Sequence, residues 1–216
     1  MRVVIAGGHG KVALRIERVL AANGDHAIGI IRNVGQAGDL RDSSAEPVVL
    51  DLESAEVAEV AEVLRGADAA VFAAGAGPGS GIARKDTVDR GAAALFAEAA
   101  ERAGVRRHIQ IGSMGVDRPP RPDTDDVFAA YLRAKKAAED DLRKRDLDWT
   151  ILRPGRLIDE PGTGEIHLAD TVDYGEVPRD DVAVVVVAVL EEGRTFHRTL
   201  ELVSGNTPVD EAIARL

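Results

Sequence analysis

The sequence predicts an α/β protein: a doubly wound, mostly parallel sheet with a small C-terminal cap region. Three observations predict it. Short apolar runs alternate with helix-spaced segments in the order β-α-β-α-β-α through residue 152, the pattern of a parallel sheet with right-handed crossovers. Runs such as Ala69-Ala70-Val71-Phe72-Ala73-Ala74 are apolar throughout, as strands covered on both faces are. A glycine turn, Gly7-Gly8-His9-Gly10, joins the first run to the first helical pattern. A chain of 216 residues with 45% apolar residues has ample material for one domain and its core. The whole chain, 1–216, is read as that one domain, with residues 156–180 as a small substrate-side cap.

Each element has a local justification. Arg2 to Ala6 is β-branched and apolar, a first strand. Leu14, Ile16, Val19 and Leu20 recur at helical spacing up to Ala22, and Asn23-Gly24 ends the helix. His26 to Ile31 is a second strand, leaving through Arg32-Asn33. Residues 34–46 are polar, a loop or short irregular helix. Pro47 to Leu50 is a third strand, ending at Asp51-Leu52. Val57, Val60, Ala61 and Leu64 form an amphipathic helix closed by Gly66. Ala69 to Ala74 is a fourth strand, opening into the glycine-rich loop from Gly75 to Gly81, which includes Pro78. Residues 85–103 form a long helix with Leu95, Phe96, Ala99, Ala100 and Ala103 on one face, and Gly104 ends it. Val105 to Ile111 is a fifth strand, ending at Gly112-Ser113. Gly115, Pro119, Pro120 and Pro122 give residues 114–124 loop chemistry. A helix from Asp125 to Arg145 leads to a sixth strand, Leu147 to Leu152, followed by Arg153-Pro154-Gly155. Ile166-His167-Leu168 is a short strand. Val182 to Leu190 is β-branched, but Asp180 or Asp181 before it and Gly193 after it are cap signals, so a buried helix is expected. Arg198 to Val203 is a last strand. Thr207 is expected to cap a final helix, 208–216, that starts with Pro208.

Composition excludes several functions. Lys and Arg number 27 against 37 Asp and Glu, a formal net charge of −10. That argues against nucleic-acid binding, which needs a basic face. The absence of cysteine removes disulfides, thiolate nucleophiles and Cys-based metal sites. The longest apolar run, Val182 to Leu190, is too short to span a bilayer. The first residues enter a strand pattern without a signal sequence, so a cytoplasmic protein without membrane contact is expected. His9, His26, His108, His167 and His197 are scattered without metal-ligand spacing, so no metal is expected. Asp123, Asp125 and Asp126 read as a solvated helix start. Arg106, Arg107 and His108 read as structural residues at a strand start.

The chemistry is expected at the strand tips. Gly7-x-x-Gly10-x-x-Ala13 lets a pyrophosphate approach the unpaired amides of a helix N-terminus, and small Ala13 lets the helix pack on the strand, as in the Rossmann fingerprint. A phosphate-binding loop of nucleotide hydrolases is excluded, because Val12 follows Lys11 where Ser or Thr is required and Ile5 stands where a glycine is required. At the end of the second strand such folds use an acid for the 2′-hydroxyl of NAD or an arginine for the 2′-phosphate of NADP. The chain has Arg32 there, which points to NADP. Tyr131 and Lys135, at i and i+4, share a helix face. An ammonium beside a phenol with a reference pKa near ~10 favours the phenolate and makes the tyrosine a usable proton donor. Ser113, at the tip of strand five, would lie across the same mouth. A Tyr and a Lys at this spacing more often share a helix face without any catalytic role.

Taken in order, these residues resemble the short-chain dehydrogenase/reductase superfamily, most closely its atypical, epimerase/dehydratase-like branch of small NAD(P)-binding Rossmann proteins. The resemblance covers nearly the whole chain and also draws on Asp51-Leu52, Ala73-Ala74-Gly75, Val88-Asp89-Arg90-Gly91 and Trp149 to Gly155. It implies that Gly7, His9, Gly10, Lys11 and Val12 line the pyrophosphate and that Arg32 takes the 2′-phosphate. Asp51 and Leu52 would meet the adenine, and Ala73, Ala74 and Gly75 the adenosine ribose and diphosphate. Lys135 would hold the nicotinamide ribose, with Pro154 and Gly155 close to the nicotinamide. Ser113, Tyr131, Lys135 and Asp89 form the implied catalytic set, Tyr131 as general acid. Asp89 stands where the superfamily carries asparagine, and an acid cannot donate as an amide does. About 60 residues follow strand six, room only for a small cap and a small-molecule substrate. The expectation is an NADP-dependent oxidoreductase of a small carbonyl or quinone-like substrate, monomeric or a small homo-oligomer. The alternatives are a non-catalytic NADP-binding sensor and an NAD(P)-dependent epimerase or dehydratase.

Overall fold

The computed structural model describes residues 1–77, 79–118 and 124–216. The loop expectations for Pro78, Pro119, Pro120 and Pro122 and the reading of Asp123 lie outside the described residues. The strands are β1 (Arg2–Ala6), β2 (His26–Ile31), β3 (Glu46–Val49), β4 (Ala69–Phe72), β5 (Arg107–Ile111), β6 (Asp148–Pro154), β7 (Arg156–Ile158), β8 (Glu165–Ala169), β9 (Glu176–Pro178), β10 (Arg198–Ser204) and β11 (Thr207–Pro208). The α-helices are α1 (Ala13–Ala22), α2 (Ala37–Asp42), α3 (Val57–Leu64), α4 (Ile82–Arg84), α5 (Ala93–Ala103), α6 (Asp126–Leu142), α7 (Arg179–Ala188) and α8 (Val209–Ala214). Between α4 and α5 the helix widens into a π segment, Lys85–Ala92.

Nine strands form one sheet in the order β11-β8-β10-β6-β5-β4-β1-β2-β3. From β3 to β10 every pairing is parallel, and β8 then pairs antiparallel with β10 and β11. The expected doubly wound α/β architecture is therefore the observed one. The winding reverses between β1 and β4, and in open α/β sheets the ligand crevice lies beyond the strand ends at such a point. β7 and β9 form a separate two-stranded parallel ribbon, while β8 between them in sequence extends the main sheet.

Two apolar layers cover the sheet. Val3, Ile5, Val71 and Ile109 face α1 and α7, packing on Ile16, Leu20, Val182 and Val186. Val4, Ala70 and Phe72 face α3, α5 and α6, packing on Leu64, Phe96, Ala100 and Leu142. These are alternate residues of the same strands, which is why the runs read as apolar throughout. Val182 to Ala188 is helical despite its β-branching. Val182, Val185 and Val186 pack the sheet face, and Arg107 beneath donates from Nη2 to the carbonyl of the C-cap residue Val189 and from Nε to that of Leu190.

Two cap expectations are corrected. Thr207 is not the N-cap of α8. Its backbone pairs with Ile166 in the sheet, and Pro208 takes the cap position with no side-chain hydrogen bond. Asp180 and Asp181 do not precede α7 but sit in its first turn. They accept instead from the backbone of a neighbouring loop: Gly162 N–H to Asp180 Oδ2 at 3.2 Å and Gly164 N–H to Asp181 Oδ1 at 2.9 Å. No helix among the described residues is long and apolar enough to cross a membrane.

Candidate cofactor and substrate clefts

The glycine turn is built as a cradle. Gly7 has φ +79°, and a Cβ added there would lie 2.6 Å from the Ala74 Cα, closer than atoms can approach. Gly8 sits equally tightly on the backbone of Gly29, where its Cβ would lie 2.7 Å from Cα. The Gly10 N–H closes the turn on the Gly7 carbonyl at 2.8 Å. No side chain caps the start of α1, and its first turn holds no acidic residue. Unpaired amides and the positive end of the helix dipole thus meet a surface cleared of side chains, the donor set that suits a pyrophosphate.

Two contiguous clefts run along the strand tips. The first, of about 250 Å³, is lined by Gly7, His9, Gly10, Arg32, Asp51, Leu52, Ala73, Ala74 and Gly75, which brings together most of the expected cofactor residues. The second, of about 690 Å³, is lined by Gly10, Val12, Asp89, Ser113, Tyr131, Lys135, Pro154 and Gly155, and so gathers the implied catalytic set. Gly10 and Ala73 to Gly75 border both clefts. Lys11 lines neither. It is exposed, and its Nζ pairs with Asp159 at 2.6 Å. His9 is held from both ring nitrogens: Nε2 donates to Asp39 Oδ2 at 2.6 Å and Nδ1 accepts from Gln36 Nε2 at 3.0 Å, the tautomer this pairing requires.

In the second cleft the π segment positions Lys85 and Asp89 opposite α6. Asp89 is fully buried. Its Oδ2 accepts from the Ala76 N–H at 3.2 Å, and its Oδ1 lies 3.5 Å from Lys135 Nζ. Lys135, itself 5% exposed, also donates to the Ile111 carbonyl at 3.1 Å. A carboxylate only accepts: here Oδ2 takes the Ala76 amide, while Oδ1, with no hydrogen-bond partner among the described residues, faces the Lys135 ammonium. It holds the start of the glycine-rich loop and neutralises the lysine, whereas an amide would donate. Two ammonium groups lie near the Tyr131 ring, Lys85 Nζ 5.4 Å and Lys135 Nζ 5.9 Å from its centroid. Lys85 in turn donates to the Gly77 carbonyl at 2.9 Å. Ser113 Oγ donates to the Met114 carbonyl at 3.2 Å.

A buried ion network fixes α6 against the sheet. Arg153 of β6 donates from Nη2 to Glu139 Oε2 at 2.6 Å and from Nη1 to Asp117 Oδ2 at 2.6 Å. Arg143 reaches the same Glu139 oxygen at 2.9 Å. Tyr131 and Lys135 are thereby carried on a helix tied to the strand that ends at Pro154.

Several lining residues carry no local sequence signal. Glu53 and Arg84 join the first cleft. Phe128, Tyr174 and Arg179 join the second, and Tyr174 and Arg179 arrive from beyond β8, where only the tertiary fold brings them near α6. Lys85 was legible in part: it stands four residues before Asp89 on the same helical stretch. Among the described residues no three His, Asp or Glu side chains converge as a metal site.

The comparisons with known proteins place the chain in a family. Residues 7–193 match the sequence profile of a family described as NAD(P)H-binding. An uncharacterized sugar epimerase of Bacillus subtilis, YhfK, is 35% identical over 217 residues, covering 100% of both chains. A Bacillus halodurans structure provisionally described as an NAD-dependent epimerase/dehydratase superimposes with a TM-score of 0.92 at 32% identity, covering 100% of both chains. The oxidoreductase ylbE of Lactococcus lactis superimposes with a TM-score of 0.86 at 26% identity, over 100% of this chain and 96% of that one. The likeness to small Rossmann proteins of the epimerase/dehydratase-like kind is borne out, and with the profile spanning most of its length the chain belongs to the NAD(P)H-binding family.

Proposed function

We propose that the chain is an NADP-dependent oxidoreductase of a small, flat carbonyl or quinone-like substrate. The observation that carries the proposal is the continuity of the two clefts: Gly10 and Ala73 to Gly75 border both, so a cofactor laid along the first ends beside Tyr131. When bound, the cofactor supplies hydride chemistry at its nicotinamide. The residues of the chain supply the rest. Gly7 and Gly10 border the clefts where a pyrophosphate would meet the α1 amides. Arg32 offers a guanidinium to a 2′-phosphate. Tyr131 would give its phenolic proton to the substrate oxygen as negative charge develops there, and Lys85 and Lys135 stabilise the phenolate left behind.

The lining supports a flat substrate. The chain has only four Phe, two Tyr and one Trp, yet both tyrosines and Phe128 line the second cleft. Phe128 and Tyr174 are 51% and 68% exposed, an arrangement that offers ring faces for stacking. One observation favours a second reading, a cofactor-binding sensor without turnover: Asp89 lies 3.5 Å from Lys135 Nζ and offsets the charge that would activate Tyr131.

Oxidation of NADPH followed at 340 nm against a panel of carbonyls and quinones, for the wild type and Tyr131→Phe, separates the two. Loss of a general acid lowers kcat by about 10²–10⁴-fold. Tight NADPH binding without turnover on any substrate rejects the enzyme reading, and turnover that survives Tyr131→Phe undiminished rejects Tyr131 as the general acid.

A further inference from the structure

At the far end of the first cleft two arginines converge on one carboxylate. Asp51 sets the turn that presents it: Asp51 Oδ1 accepts from the Glu53 N–H at 3.0 Å, and the Ser54 N–H bonds the Asp51 carbonyl at 3.0 Å. Glu53 Oε2 accepts from Arg84 Nη2 at 2.6 Å and lies 3.7 Å from Arg32 Nη1. Glu53 Oε1 accepts from Thr87 Oγ1 at 2.6 Å and from Arg84 Nε at 3.4 Å. Arg32 comes from the end of β2, Arg84 and Thr87 from the helix after β4, and Arg32, Glu53 and Arg84 all line the cleft. The hydrogen bonds from Arg84 and Thr87 hold the Glu53 carboxyl below the ordinary carboxylate range, so it is an anion at neutral pH. Arg32 and Arg84 are 55% and 36% exposed, and ion pairs so exposed add little to stability. Their convergence on a point inside the cleft is better matched to binding an anion.

We infer that Glu53 sets the choice between NADPH and NADH, its carboxylate occupying the subsite to which Arg32 and Arg84 draw a 2′-phosphate and offering an acceptor to the 2′-hydroxyl of NADH. The inference rests on the cofactor orientation proposed above. With Glu53 in place the two arginines face its carboxylate directly, and the Asp51 carboxylate also lines the cleft. A 2′-phosphate must displace the Glu53 carboxylate or bind beside it against Coulomb repulsion. A 2′-hydroxyl meets no such repulsion and can donate to the same oxygen. Arginine at the end of β2 therefore gives less preference for NADPH than it would alone.

The test is equilibrium titration of the protein with NADPH and with NADH, followed by cofactor fluorescence, on the wild type, Glu53→Gln, Thr87→Val and Arg32→Ala. Glu53→Gln keeps the shape and removes the charge. It is expected to tighten NADPH about tenfold and to weaken NADH about threefold. Thr87→Val frees the carboxylate from one of its anchors without touching either arginine, and should raise the NADPH-to-NADH preference by a smaller factor. An unchanged preference in both variants, or weaker NADPH binding in Glu53→Gln, overturns the inference and leaves Glu53 as a support for Arg84. If Glu53→Gln melts at a lower temperature than the wild type, Thr87→Val alone decides on the same criterion. Arg32→Ala separates the two layers. A selective loss of NADPH binding there, with Glu53→Gln silent, overturns only the role of Glu53. Equal loss of both cofactors overturns the cofactor orientation and the inference together.

Discussion

Replacing Glu17 should change how stability depends on pH across the neutral range. The residue lies on α1, directly behind the glycine turn, and is fully buried. Neither carboxyl oxygen has a hydrogen-bond partner among the described residues. A Cβ on Gly29 would lie 2.7 Å from its Oε1, so the carboxyl rests on the bare backbone of β2. Burial pushes its pKa from 4.5 to about 8, against a smaller opposing pull from Arg18. At neutral pH the folded protein therefore holds a proton that the unfolded chain releases. Stability is fully present below the unfolded value of 4.5, falls as pH rises between 4.5 and about 8, and levels off above. At pH 7 the loss is 2.5 pH units at ~1.4 kcal/mol each, about 3 kcal/mol, against a total stability of roughly 5–15 kcal/mol for a typical domain. Glutamine has the shape of the protonated acid and no proton to release. Glu17→Gln should match the wild type within about 1 kcal/mol near pH 4.5 and exceed it by about 3 kcal/mol at pH 7. Urea denaturation of both proteins at pH 5, 6, 7 and 8 reads this directly. Parallel pH profiles for the two would refute the reasoning, because they would mean that Glu17 ionises within the fold at little cost.

Two further outcomes are expected. Gly7→Ala places a methyl group at φ +79° against the Ala74 backbone. It should cost about 2–4 kcal/mol in denaturant melts and abolish NADPH binding, and a variant that still binds NADPH with wild-type affinity would show that the turn is not the cradle. Lys135→Met leaves Asp89 buried without its cation and should destabilise by about 3–5 kcal/mol. Adding Asp89→Asn should recover part of that loss, so additive losses in the double-mutant cycle would show that the two groups are not coupled.

Much of the fold was legible in the residues themselves. The bounds of β2 and α3 follow directly from apolar periodicity and the turn residues that bracket them, because both patterns are set by which side chains must face a core. The α7 helix was expected against the propensity of its valines, although Asp180 and Asp181 sit inside its first turn and its C-cap is Val189, not Gly193. Thr207 shows the limit of such local rules: a cap residue was expected, but pairing with Ile166 in the sheet engaged its backbone. The π segment had no signal, since an extra residue per turn leaves the apolar face of a long helix nearly intact while changing which side chains enter the cleft.

For the site, the sequence by itself determined the parts that depend on backbone geometry and short spacing. The glycine turn, Arg32 at the end of β2, and Tyr131 with Lys135 are each fixed by neighbours a few residues away. The tertiary structure alone decided who their partners are. Asp89 meets Lys135 across 46 residues of chain, Glu53 meets Arg84 across 31, and Tyr174 meets the cleft from the far side of β8. Such pairings are set by strand order and helix packing, because electrostatic and stacking contacts depend on distance in space, on which separation along the sequence carries no information.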